Sequence, residues 1–235
     1  YSRPQISIPG ISLIVFDLVT KVPMEDMPRF LKFLSKCIRH DIKLGTELAI
    51  HFANFTYSMM TVDPNSAEFN RSMIGGSCYV SISLMSMDEN THEILLPRTM
   101  EIISNTLQSD DKLYKNFGIT MLNKLMKIFP NESSQLFIAY SDSIEEILEL
   151  DDDDDDSIDR RKGIINLSSI VSLNGDENNP FIPKIIEIAK SWLNSDHHSL
   201  IGCGVEAIKK LQIRPILPKE VIVDLFQCMA TVIHQ

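Results

Sequence analysis

The sequence predicts an all-α chain, an α-solenoid of about five stacked antiparallel helix pairs, and three observations predict it. Leu, Ile and Met supply most of the apolar mass in a chain that is 44% hydrophobic but 7% aromatic, the usual mix for packed helices. Segments of the chain align with one another without gaps. Turn-forming clusters also punctuate the apolar runs at helix-length intervals.

The self-alignment carries the most weight. Met27-Pro28-Arg29-Phe30-Leu31 runs to Asp41, Lys43-Leu44, Ala49 and Ile50. Leu96-Pro97-Arg98-Thr99-Met100 runs to Asp110, Lys112-Leu113, Gly118 and Ile119, at an offset of 69. Ile182-Pro183-Lys184, Asp196, Gly204, Ile208 and Leu211 repeat the second segment at an offset of 86. Leu217-Pro218-Lys219 begins a fourth segment 35 residues after Pro183. A unit of 35 residues makes 69 nearly two units, so a further unit is expected between residues 62 and 96. The offset of 86 then contains one repeat with an acidic insertion.

Each aligned residue type has a physical task in a helix pair. Proline suits a first helical turn, where its missing N–H costs nothing. Leu31, Leu34 and Ile38, at i, i+3 and i+7, make one buried stripe. The Asp at the junction (Asp41, Asp110, Asp196) can accept hydrogen bonds from the free N–H groups of the second helix. Ala49, Gly118 and Gly204 let that helix approach its neighbour closely.

In chain order the predicted helices cover 12–21, 24–39, 41–61, 67–87, 94–108, 111–129, 133–149, 158–173, 181–195, 197–213 and 218–234. Breaks fall at Pro9-Gly10, Asp63-Pro64-Asn65-Ser66, Asp88-Glu89-Asn90, Pro130-Asn131, the Asp run after Leu150, and Asn174-Gly175. Residues 78–84 alternate like a strand, with Val80, Ile82 and Leu84 against Ser81 and Ser83. Val80, Leu84 and Met87 also share one helical face, and helix is the reading adopted. Gly75-Gly76-Ser77 lacks the Gly-Lys-Ser/Thr of a phosphate loop and is expected to kink its helix.

Charge and cysteines narrow the function classes. The net charge is −10, of which Asp151–Asp156 contribute −6. An acidic total opposes direct binding of nucleic acid or of an anionic membrane and leaves protein partners with a basic surface open. No apolar run nears the roughly 20 residues that span a bilayer, and no signal-peptide pattern is present, so membrane insertion is not expected. Cys37, Cys78, Cys203 and Cys228 never pair as C-x-x-C and read as free thiols of a reducing compartment, cytoplasmic and/or nuclear. Sequons at Asn54, Asn70, Asn131 and Asn166 fall mostly within predicted helices and read as coincidence. The first residue is Tyr1, and a fragment of a longer protein is expected.

Catalytic, cofactor and metal signatures are missing, so no enzyme, no small-molecule substrate and no cofactor are expected. Gly202-Cys203-Gly204-x-x-Ala207 imitates a dinucleotide fingerprint without the strand it needs, and the repeat assigns Gly204 to helix packing. His197-His198 point in different directions on a helix and read as an exposed interhelical loop. Trp192 lies near an isoleucine stripe and reads as core. The Asp run has neither the glycine nor the distal glutamate of an EF-hand loop.

Pro, an apolar stripe, Asp, a small residue and Leu-x-x-Leu (Leu122 and Leu125) together resemble the HEAT repeat, a relative of the armadillo repeat. The resemblance implies paired antiparallel helices stacked as a single HEAT-repeat array over residues 1–235, with an acidic inter-helix loop at 151–157. The order of acidic run, helix, Ile182-Pro183-Lys184-Ile185-Ile186, Asn194-Ser195-Asp196 and Val205-Glu206-Ala207-Ile208 is similar to the acidic-loop region of importin-β-like karyopherins. That match spans about residues 151–211.

By that resemblance Asp151, Asp152, Asp153, Asp154, Asp155 and Asp156 contact basic cargo or the small GTPase Ran. The implied role is a non-catalytic protein-binding scaffold, a segment of a nuclear transport receptor. Ser157-Ile158 stand where that family often carries tryptophan, and Ile201 replaces the basic residue that survives as Lys115. The alternative is a HEAT scaffold subunit of another assembly, chromosome-associated, phosphatase-type or cytoskeletal. In either case the polar positions of 41–61, 111–129 and 197–213 are expected to face a surface open to a partner.

Overall fold

The computed structural model describes Ile14, Val15, Leu18 and residues 21–40, 44–60, 67–148 and 157–233. Asp41, Asp151–Asp156 and most of the predicted helix 12–21 lie outside the described residues. Among the described residues the secondary structure is helical, with eleven α-helices, two 3-10 turns and no strand. These α-helices are α1 (Met27–His40), α2 (Thr46–Met60), α3 (Ala67–Met85), α4 (His92–Leu107), α5 (Lys112–Met126) and α6 (Pro130–Ala139). They continue as α7 (Ser141–Glu145), α8 (Ser157–Asn174), α9 (Phe181–Leu193), α10 (His198–Leu211) and α11 (Lys219–Ile233). No described helix is long and apolar enough to cross a membrane.

The chain divides into two compact units, residues 1–102 and 103–235. In the first, α3 packs against both α1 and α2, and the 3-10 turn Glu89–Thr91 touches α2 and α3. The predicted stripe Leu31, Leu34 and Ile38 is fully buried. The alternating residues 78–84 belong to α3, where Val80 and Leu84 are buried on the helical face predicted for them and Met87 follows the helix exposed. Ser81 and Ser83 are buried as well. A period of 2 appears because the helix is covered on more than one face. Gly75-Gly76 was expected to kink this helix; α3 runs helical through both, and Gly76 serves close approach instead. A Cβ there would lie 2.8 Å from the Cβ of Leu31. Cys78, two residues further along the helix, is fully buried, and burial pushes its thiol up to about 12 against a weaker opposing pull from Arg98.

In the second unit α5 packs on α6 and α8, α8 on α10, and α9 on α8, α10 and α11. Phe137 of α6 meets Phe181 of α9 edge-on, ring centroids 5.7 Å apart. Trp192 is 1% exposed, as its isoleucine surroundings predict. The Lys190 ammonium binds the Asp224 carboxylate of α11, which holds the Lys190 pKa above its usual value. Gly175, at φ +76°, ends α8 in the left-handed conformation that the Asn174-Gly175 break anticipates.

The offset of 86 survives at the level of contacts. A Cβ on Gly118 would crowd Leu107 and Thr106, and one on Gly204 would crowd Leu193 and the Ala189 carbonyl. Gly118 stands to Leu107 as Gly204 stands to Leu193. The turns match too: Asp111 N–H donates to Ser109 Oγ at 3.1 Å, and His197 N–H to Ser195 Oγ at 3.2 Å.

Four details correct the sequence reading. Pro28 and Pro183 open their helices, but Pro97 sits six residues into α4, because the 92–96 segment adds a turn ahead of it. Asp110 and Asp196 lie in the turns, yet the capping side chain at α5 is Asp111, which accepts from Tyr114 N–H at 3.3 Å. His197 precedes α10 with no side-chain cap at all. Finally, the helix predicted over 133–149 is two helices divided at Tyr140. The first opens three residues early because Pro130 fits its first turn.

Candidate functional site

The residues predicted to bind a partner, Asp151–Asp156, lie outside the described residues, but the segment leading into them is well defined. Ile147 and Leu148 are buried within the second unit, which anchors the chain up to the residue directly before the first undescribed position, 149. Three cations from three helices hold the same segment. Lys115 of α5 pairs with Glu146, Lys184 of α9 pairs with Glu145, and Arg160 of α8 donates from Nε to the Ile147 carbonyl at 3.3 Å. The separations along the chain are 31, 39 and 13 residues.

The three contacts differ in worth. Arg160 is 5% exposed, and a charged donor on a buried carbonyl contributes about 1.5–3 kcal/mol. The Lys184–Glu145 pair is about 40% exposed on both sides, so its contribution is roughly 0–1 kcal/mol. Lys115 is the asymmetric case, with a side chain 8% exposed against a Glu146 that is 64% exposed. A buried cation loses more from a missing partner than from its own replacement by an apolar chain of similar length. We therefore expect Glu146→Ala to lower the urea midpoint more than Lys115→Met does. The reverse order would show that Lys115 is stabilised without Glu146.

Between α5 and α8 lies a polar seam that sequence reasoning missed. Asn123 donates to Asn166 Oδ1 at 2.7 Å, Asn166 donates to Thr120 Oγ1 at 3.0 Å, and Thr120 donates to the Asn116 carbonyl at 3.0 Å. Gly163 of α8 faces Asn116, leaving no room for a side chain. The Oδ1 atoms of Asn116 and Asn123 have no hydrogen-bond partner among the described residues. Residues 116, 120 and 123 recur at i, i+4 and i+7, a polar stripe legible in the sequence but not its burial.

That seam corrects the expectation of an open polar face on 111–129. Lys115, Asn116 and Asn123 are buried, and from Tyr114 to Met126 no side chain is fully exposed. Polar side chains are exposed on α2, at Glu47, His51, Asn54 and Ser58, and on α10, at Lys209. Next to the Glu145–Leu148 segment a shallow groove of about 360 Å³ is lined by Leu148, Lys184, Glu187, Ile188 and Ser191.

The residues that imitate chemistry are placed plainly. Gly202-Cys203-Gly204 lies inside α10, and His197 and His198 are exposed at its start. Of the cysteines, Cys37 and Cys78 are buried, and Cys203 and Cys228 half-buried. Among the described residues no three His, Cys, Asp or Glu side chains gather as a metal site. The family models and curated proteins compared with this chain give no match to it.

Proposed function

We propose that this chain is a segment of a HEAT-type α-solenoid whose task is to hold other proteins, with Asp151–Asp156 as an electrostatic contact for a basic partner. The observation that carries the reading is the repeated contact set in the second unit. Gly118 on Leu107 recurs as Gly204 on Leu193, and the Ser109 turn recurs as the Ser195 turn. Supporting it, α5, α8 and α10 touch in succession within the second unit, as do α9 and α11, the order of contacts that stacked helix pairs would give.

The segment that precedes the acidic run in sequence is held by three cations as far as Leu148. Six consecutive charges of one sign raise the encounter rate with an oppositely charged surface. This is the arrangement a nuclear transport receptor of the importin-β-like kind would use toward basic cargo or Ran, in the cytoplasm or nucleus. The burial of the α5 polar positions favours a second reading, a HEAT scaffold subunit of another assembly, since it removes one stretch of binding surface. A pull-down from a nuclear and cytoplasmic extract, comparing the intact chain with one in which Asp151–Asp156 are replaced by serine, tests the proposal. Loss of basic partners from the serine chain supports it, and identical partner sets would refute it.

A further inference from the structure

Helix α1 concentrates positive charge in a way that nothing else in this acidic chain does. Its sequence has four cationic side chains, Arg29, Lys32, Lys36 and Arg39, and no carboxylate, in a chain of net charge −10. At 100° per residue these four span about 80° of the helix circumference, and Phe33 flanks that arc about 40° beyond Arg29. All five are exposed, Phe33 by 51%. The opposite face, Leu31, Leu34, Cys37 and Ile38, is buried. Among the described residues the carboxylate that reaches the stripe is Asp26, 3.8 Å from Arg29 at its edge.

We infer that this stripe is a docking surface for an acidic helical segment of a protein partner, one with carboxylates at three- and four-residue spacing around a central apolar side chain. Successive cations on α1 stand one turn apart, and carboxylates at i, i+3, i+4 and i+7 on a facing helix have the same pitch. From Arg29 to Arg39 the stripe is about 15 Å long, ten residues at the α-helical rise. Phe33, at mid-length on one side of the stripe, is a large apolar side chain left in water beside Arg29 and Lys36, and a facing Leu or aromatic ring would cover it.

Other anionic partners fit less well. A membrane would need the apolar face of α1, which is already buried. A nucleic-acid duplex carries charge every 1.7 Å or so and would run past a 15 Å stripe onto an acidic protein, where it is repelled. A short acidic helix is covered by the stripe, and charges beyond about 10 Å are screened from it at moderate salt. The stripe and the Asp run are different stretches of the sequence, and the test of one does not depend on what the other binds.

The probe is a fluorescein-labelled, helix-stapled peptide of glutamates at i, i+3, i+4 and i+7 with one central leucine, followed by anisotropy at about 50 mM salt. Binding should saturate, weaken about tenfold in K32E/K36E, and weaken several-fold in Phe33→Ser. Removing the leucine from the peptide should abolish the effect of Phe33→Ser while keeping that of K32E/K36E. Because all three substituted positions are exposed, unchanged thermal unfolding of each variant is expected and can be checked directly. Absence of saturable binding, equal binding by K32E/K36E, or tighter binding of a 20-base-pair duplex or of phosphatidylserine vesicles would each overturn the inference.

Discussion

Trp192→Ala is expected to destabilise the second unit by about 3–5 kcal/mol, the range for removing a fully buried aromatic side chain from a packed core. The indole sits in α9, 1% exposed, and α9 contacts α8, α10 and α11. Truncation opens a cavity in a helix that three others of the unit touch. Phe226→Ala is the matching control. Phe226 is 61% exposed on α11, so its loss should stay within about 0.5 kcal/mol. Chemical denaturation monitored by helical circular dichroism would show both, and a Trp192→Ala midpoint close to wild type would mean the surrounding helices do not depend on it.

The tripeptide Gly202-Cys203-Gly204 gives the second large effect, and its two glycines should respond with opposite sign. A Cβ on Gly202 meets nothing within 4 Å, so Gly202→Ala exchanges a flexible helical residue for a good helix former and should stabilise by about 0.5–1 kcal/mol. On Gly204 a Cβ would lie 2.9 Å from the Ala189 carbonyl oxygen, a backbone atom that cannot turn away, and 3.1 Å from Leu193 Cγ. Gly204→Val adds two methyls to that clash. It should cost about 1–3 kcal/mol or more by forcing α9 and α10 apart. Equal responses at the two positions would show that the close approach of these helices is not set by Gly204.

The same glycine shows what could be read in the sequence. Gly118 and Gly204 were legible as close-packing positions because a small residue recurs at a fixed distance from Pro, Asp and a Leu-x-x-Leu pattern. The helices were legible because their apolar residues keep a 3.6-residue period, and Leu31, Leu34 and Ile38 are buried as that period requires. Boundaries were less so. Pro97 reads as a helix start, yet a preceding 3-10 turn and the residues before it extend α4 backward. Asp110 and Asp111 are equally good caps by composition, and only the path of the turn selects Asp111.

The surroundings of the acidic run were not legible for a different reason. Lys115–Glu146 and Lys184–Glu145 join residues 31 and 39 positions apart, and no periodicity within one helix encodes such a pairing. The Asn116, Thr120 and Asn123 stripe was visible as a polar face, but a polar face toward water and one toward Asn166 have the same period. Only the packing of α8 onto α5 distinguishes them. The basic stripe of α1 was present in full in the sequence, hidden by a net charge that averages it away.

The central claim, that six clustered aspartates guide a basic partner to this chain, is tested most directly by an association rate. A fluorescein-labelled oligolysine peptide would be mixed by stopped flow with the wild-type chain and with a chain carrying serine at Asp151–Asp156, at about 50 mM and 500 mM salt. Thermal unfolding of the two chains would be compared alongside. The account predicts an association rate about tenfold higher for wild type at low salt, converging at high salt, with unfolding midpoints nearly equal. Equal rates at low salt would contradict it, and so would a serine chain that no longer folds.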